Sequence, residues 1–181
     1  TPLTLDAFNL LDFFDLLKKH RIHLILKPHP RVPMKAPGLP EWVTLCSSDS
    51  DIYPFFPLVD ILLTDYSSIH TEFLLLDRPV IFFWADFQSY NVVDRGLQFP
   101  VEDMSPGPKC FDGPSLFRAI VDAARGKDEW GPARRALRDK AFSHQDGKAC
   151  ERIAARLLQG EFAPETGKPP APPAGTPSEH A

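Results

Sequence analysis

The sequence predicts an α/β fold, a parallel sheet flanked by helices. Three observations carry this. Residues 59–64 (VDILLT) and 79–84 (PVIFFW) are short, mainly apolar runs of the kind that form buried strands. Between them, residues 67–76 read as a helix that is mostly apolar on one side. Strand, helix and strand in so short a span make a βαβ unit, which implies a parallel pair joined by a right-handed crossover.

The other elements follow in order. Residues 6–20 predict a first helix: Phe8, Leu11, Leu16 and Leu17 recur near helical spacing, and Lys18, Lys19 and His20 fall where the dipole favours cations. Residues 22–27, apolar and stopped by Pro28, predict a buried strand, and 42–45 a shorter one. Residues 53–58 allow one or two helical turns, broken by Pro54 and Pro57. Helices are expected at 115–125, 131–142 and 147–159. From Glu161 the composition shifts to Pro, Gly, Ala and Glu without apolar periodicity. Residues 1–160 are therefore expected to form the folded domain and 161–181 a disordered tail.

Composition narrows the function classes. The 181 residues suffice for one substantial core plus a tail, and the hydrophobic fraction of 43% is ordinary for a globular chain. A net charge of -4 supplies no basic face for a nucleic acid. Cys46, Cys110 and Cys150 are odd in number and far apart, which points to reduced thiols in the cytoplasm rather than a disulfide framework or zinc knuckle. No metal-ligand cluster is evident and no cofactor is expected. No apolar run reaches the roughly 20 residues that span a bilayer. The first 17 residues lack a basic leader and carry Asp6, Asp12 and Asp15. The chain starts without Met and is expected to be part of something longer.

The strongest chemical signal is Thr64-Asp65-Tyr66-Ser67-Ser68, where a buried strand ends and a helix begins. Ligands of open α/β sheets bind at the carboxyl ends of strands, and helix starts attract phosphate. Two readings stand: Ser67 and Ser68 as phosphate-binding hydroxyls, or Asp65 or Ser67 as a mere helix cap. Glu72, about one turn beyond Ser68 in an apolar helix, is a costly carboxylate unless it has partners. A ribose diol is one such partner; water on an amphipathic helix is the bland alternative. A second signal is Lys27-Pro28-His29-Pro30-Arg31, where two prolines hold His29 in one direction between cations. That loop could neutralise a diphosphate and protonate or polarise a leaving group. The third, residues 86–96 (DFQSYNVVDRG), puts Asp86, Tyr90, Arg95 and Gly96 after another strand. Arg95 could touch ligand, or simply pair with Asp94 or Asp86.

Taken together, KPHP, the run from VDILLTDYSS to VVDRG and Ser105-Pro106-Gly107-Pro108 resemble the CDP-glycerol glycerophosphotransferase family of teichoic-acid and capsule polymer synthesis. The similarity covers about residues 5–158. The resemblance implies a GT-B architecture, of which this chain is the Rossmann-like, donor-binding C-terminal half. It implies transfer of glycerol phosphate from CDP-glycerol to a polymer or primer hydroxyl, with release of CMP. His29 matches the family's HP-motif histidine near the donor phosphates. Ser67 and Ser68 match its phosphate-binding hydroxyls, and Glu72 its acidic position. Glu72 also fits the spacing of the ribose-binding glutamate in the related UDP-N-acetylglucosamine 2-epimerase pattern, where glycines replace the serines. The expected donor site is thus His29 as catalytic group with Lys27, Arg31, Asp65, Ser67, Ser68, Glu72, Arg95 and Gly96 as binding residues. The family's general-base histidine, its polymer or lipid-linked acceptor site and its membrane-binding parts are expected in an N-terminal half. The whole enzyme would work at the inner face of the cell membrane, and this part alone would bind donor but transfer poorly. Two alternatives remain: a related transferase using CDP-ribitol or a UDP-sugar, and a non-catalytic nucleotide-binding fragment.

Overall fold

The computed structural model describes residues 9–29, 38–87 and 103–160. The chain divides into two compact units, Thr1–Ser143 and His144–Ala181. The tail expected at 161–181 lies outside the described residues.

In the first unit, α1 (Leu10–His20) starts where the Asn9 side chain accepts the Leu11 N–H at 2.9 Å. It stops at Arg21, whose left-handed backbone (φ 54°) returns its N–H to the Leu17 and Lys18 carbonyls. β1 (Leu24–Leu26) and β2 (Val43–Leu45) pair in parallel, with Leu24 opposite Val43. A second parallel sheet holds β3 (Leu62–Thr64), β4 (Val80–Phe83) and β5 (Lys109–Cys110), with β4 in the middle. Leu63 faces Ile81 and Phe83 faces Cys110 in its register. The strands are shorter than the apolar runs that predict them. Val59, for example, closes the 3-10 helix Tyr53–Leu58 by donating to the Phe56 carbonyl, and only then does the chain extend.

β4 organises the core, because all four of its residues are buried and alternate between two faces. Ile81 and Phe83 join Phe13 and Leu17 of α1, Cys110, and Leu116 and Ile120 of α3 (Gly113–Ala124). Val80, Phe82 and the following Trp84 join Phe56 and Phe73 on the opposite face. Each such aromatic contributes roughly 1.5–3 kcal/mol by leaving water. Helices cover both faces of the sheet, as a parallel sheet requires. Burial pushes the Cys110 thiol up to about 11, so it stays a neutral core group.

The expected helix 67–76 is instead two pieces. α2 (Ile69–Phe73) tightens into a 3-10 turn, Leu74–Leu76, that ends at Asp77 in left-handed conformation (φ 50°). The break follows from what comes next: Pro79 disfavours helix at Arg78. The Arg78 guanidinium then donates to the Pro57 and Val59 carbonyls at 2.9 and 2.7 Å, tying the entry of β4 to the entry of β3. α3 opens on a capping box in which Asp112 and Ser115 exchange hydrogen bonds, which hold the Asp112 carboxyl below its usual range. α4 (Gly131–Ala141) brings in Arg134, whose side chain is 2% exposed. Its guanidinium forks onto both oxygens of Asp128 and approaches Asp77 at 3.8 Å, while Arg135 pairs with Asp77 at 3.1 Å.

The second unit contains α5 (Ala149–Leu158), with Asp146 ahead of it. Hydrogen bonds from Arg152 and the Lys148 N–H lower the Asp146 carboxyl to about 2.

Candidate functional site

The turn at the carboxyl end of β3 is built from its own sequence. The Asp65 carboxylate accepts the Ser67 N–H at 3.0 Å, an Asx turn that swings the chain from strand to helix. The Asp65 carbonyl accepts the Trp84 indole N–H at 3.3 Å, fixing the turn to the end of β4. The Tyr66 hydroxyl reaches further along that neighbour and donates to Asp86 Oδ1 at 3.1 Å. Tyr66, Trp84 and Phe87 stack nearly parallel, with Trp84–Phe87 centroids 5.1 Å apart and Tyr66–Trp84 5.8 Å. The turn is therefore a rigid shelf of rings and hydrogen bonds.

That shelf separates the two readings of the motif. Asp65 does serve the backbone, through the turn. The serines do not: Ser68 sits at the N-cap position with helical dihedrals and makes no side-chain cap bond. Both Ser67 and Ser68 are exposed. α2 itself is only five residues long, so the hydroxyls count for more here than a helix dipole would.

Glu72 lies one turn further on and is half-buried. Its Oε2 is shielded from solvent and has no hydrogen-bond partner among the described residues. The bland expectation, a solvated glutamate on a helix surface, is not what this oxygen shows. A shielded carboxylate oxygen without a donor is costly, and native structures rarely leave one unpaired.

His29 and Lys27 stand at the carboxyl end of β1, in the two-stranded sheet. Lys27 Nζ donates to the Ser48 and Pro28 carbonyls at 2.5 and 3.1 Å, so two of its three N–H bonds join the loops after β1 and β2. This structural duty could not be read from a lysine between a strand and a proline. Pro28 is buried and His29 is exposed beside it. Asp65, Ser67, Ser68 and Glu72 are thus brought together at one strand end, and Lys27 and His29 at another. Arg31, Tyr90, Asp94, Arg95 and Gly96 lie outside the described residues.

One residue and one partnership escape sequence reasoning. Asp86 is a sequence candidate, but its pairing with the motif's own tyrosine is not, because nothing in a linear reading joins two residues that far apart. His70, two residues past the motif, is buried with a backbone carbonyl 2.8 Å from each ring nitrogen. Its position on the inner side of the first helical turn was the available signal. The Ser105-Pro106-Gly107-Pro108 stretch is packed on β4, with Ser105, Pro106 and Gly107 all buried. Its part is architectural.

Comparison with known proteins gives a consistent result. The family described as CDP-Glycerol:Poly(glycerophosphate) glycerophosphotransferase matches residues 6–159. A teichoic acid ribitol-phosphate primase of Bacillus spizizenii (strain ATCC 23059 / NRRL B-14472 / W23) is 34% identical over 134 residues, 72% of this chain and 33% of its own length. A teichoic acid glycerol-phosphate transferase of Staphylococcus aureus (strain NCTC 8325 / PS 47) is 29% identical over 136 residues, covering 75% of this chain and 35% of its own. The chain thus spans about a third of the length of these curated relatives. Among solved structures, the wall teichoic acid polymerase TagF superposes with a TM-score of 0.68 at 22% identity, over 88% of this chain and 39% of that one. A variant of TagF soaked with CDPG gives 0.67 at 24% identity, over 84% and 39%. These superpositions bear out the parallel α/β architecture.

Proposed function

The chain belongs to the CDP-glycerol:poly(glycerophosphate) glycerophosphotransferase family, and we propose that it supplies the donor-nucleotide site of such an enzyme. The observation that carries this reading is Glu72 Oε2, shielded and without a hydrogen-bond partner among the described residues, one turn beyond the exposed Ser67 and Ser68. A ribose hydroxyl donates the missing hydrogen bond while the serine hydroxyls meet the diphosphate. We assign the remaining anion contacts to Lys27, His29, Arg31, Arg95 and Gly96, the last three on the sequence pattern alone.

The reaction that fits is phosphoryl transfer by positioning and charge stabilisation. An acceptor hydroxyl attacks the β-phosphorus of CDP-glycerol in line with the bridging oxygen. The new P–O bond forms as the Pβ–O bond breaks, and the electron pair leaves with CMP. His29 and the basic residues stabilise the charge on departing CMP. The acceptor's proton passes to a base outside this chain, in the remaining two-thirds of the enzyme, which also holds the polymer or lipid-linked acceptor at the inner membrane face. No helix among the described residues is long and apolar enough to cross a membrane.

Isothermal titration of the folded chain with CDP-glycerol, CMP and UDP-sugars tests the proposal. Saturable binding of cytidine nucleotides is expected, and no heat from any of them sinks it. Ser68→Ala is expected to weaken CDP-glycerol binding by about 1–3 kcal/mol, the scale of a lost hydrogen bond to a charged group. Unchanged affinity in a folded variant removes Ser68 from the site. The curated relatives include both ribitol-phosphate and glycerol-phosphate enzymes. CDP-ribitol is the second reading, and competition against CDP-glycerol decides it.

A further inference from the structure

His70 carries an arrangement that its neighbours in the motif do not. The residue is 8% exposed, and its ring stands edge-on to Phe82, centroids 5.2 Å apart. Nδ1 lies 2.8 Å from the Ser67 carbonyl, and Nε2 lies 2.8 Å from the Met104 carbonyl. Both partners are acceptors only, so each contact is a bond only when that nitrogen carries the proton. The ring bridges two backbone segments far apart in sequence. One is the turn that presents Ser67 and Ser68. The other, 103–108, is held against β4 by Gly107 and by the Phe82 N–H donating to the Pro108 carbonyl at 2.9 Å.

We propose that His70 is a positioning residue of the donor site. It anchors the carbonyl of Ser67 to the Met104 segment and thereby fixes where the two serine hydroxyls stand. The inference rests on the donor-site reading for its effect on ligand. The anchor itself is a property of the unliganded chain. No substrate contact is assigned to His70. Its share in binding is to remove freedom from the turn, so that less ordering is left for the ligand to impose.

Three variants of the full chain separate the bonds from the packing. His70→Phe keeps an aromatic ring against Phe82 and removes both ring nitrogens. His70→Asn places an amide N–H near Nδ1 and retains the Ser67 bond. His70→Gln places one near Nε2 and retains the Met104 bond. The first readout is amide hydrogen exchange without ligand. His70→Phe is expected to speed exchange in residues 67–71 and 103–107 and leave the α3 amides unchanged. The second is CDP-glycerol affinity, expected to fall about 3- to 10-fold in His70→Phe, as for one lost neutral hydrogen bond. His70→Asn is expected to recover most of that loss, because it restores the bond on the serine side, and His70→Gln less. Unchanged exchange at both segments in His70→Phe overturns the anchor. Faster exchange with wild-type affinity overturns the positioning role, as does equal loss in all three variants. If the wild-type chain binds no cytidine nucleotide, the donor-site reading and the positioning role fall together, and the exchange result alone decides the anchor.

Discussion

Gly107→Ala is expected to cost the fold about 3 kcal/mol or more, near the top of what overpacking does. A Cβ on this residue would sit 1.9 Å from the Val80 carbonyl oxygen, 3.0 Å from its carbon and 3.2 Å from Phe82 Cε2. The first two are backbone atoms of the central strand, which cannot swing aside as a flexible side chain would. Val80 itself is buried between Leu62 across the ladder and the Phe73 cluster. Relief therefore requires the 105–108 segment to lift from β4, losing the Phe82–Pro108 bond and disturbing the Trp84–Cys110 bond beyond it. Thermal unfolding should show a Tm lower by roughly 10 °C, given a few degrees per kcal/mol at this size. A Tm within about 2 °C of wild type would mean that the segment relaxes freely. Because Met104 precedes this segment, donor affinity should fall as well.

Asp128→Ala is expected to destabilise the chain by about 3–5 kcal/mol, the penalty for stranding a buried charge. Arg134 is 2% exposed, and Asp128 takes both ends of its guanidinium. Asp77, at 3.8 Å, is a poor substitute and is already held by Arg135. The Arg134 Nε has no partner among the described residues, so the site has no slack in hydrogen bonding. The double variant Asp128→Ala with Arg134→Met should regain most of the loss, since apolar replacement of a buried pair is often neutral. Urea denaturation of the single and double variants measures both. A double variant no better than the single would place the cost in packing. The acid limb follows too. Hydrogen bonding to Arg134 holds the Asp128 carboxyl below its ordinary value. A depressed folded value means that its stabilisation is complete above the unfolded carboxyl range near ~4 and is lost as pH falls through the folded value. Asp128→Ala should flatten the fall in stability there.

The parallel architecture was legible because β4 obeys a single rule. Residues buried on both faces must be apolar without interruption, and VIFF is. β5 was not legible: two residues carry no periodicity, and Lys109–Cys110 is a strand only because β4 offers it a ladder. The helix after Ser68 was over-extended because Leu74, Leu75 and Leu76 look helical, whereas the turn needed before Pro79 tightens them. In the motif, the sequence places Ser67, Ser68 and Glu72 just past a strand end, and the structure has them there. Lys27 also holds two carbonyls, a duty that no pattern in the sequence announces. The role of His70 is not legible in the sequence because it depends on the Met104 carbonyl, and a carbonyl oxygen has no letter there.

The ring stack under the Asp65 turn has an optical consequence. Trp84 is 2% exposed, whereas Trp42 and Trp130 are only partly buried. With Trp42 and Trp130 replaced by Phe, the emission that remains should lie at the blue edge and come from an indole bonded to the Asp65 carbonyl and stacked on Tyr66. Coupling between those two chromophores should give a near-ultraviolet dichroism band. Any movement of the serine turn, whether driven by nucleotide or by loss of the His70 anchor, would then be visible as a change of light from a single residue.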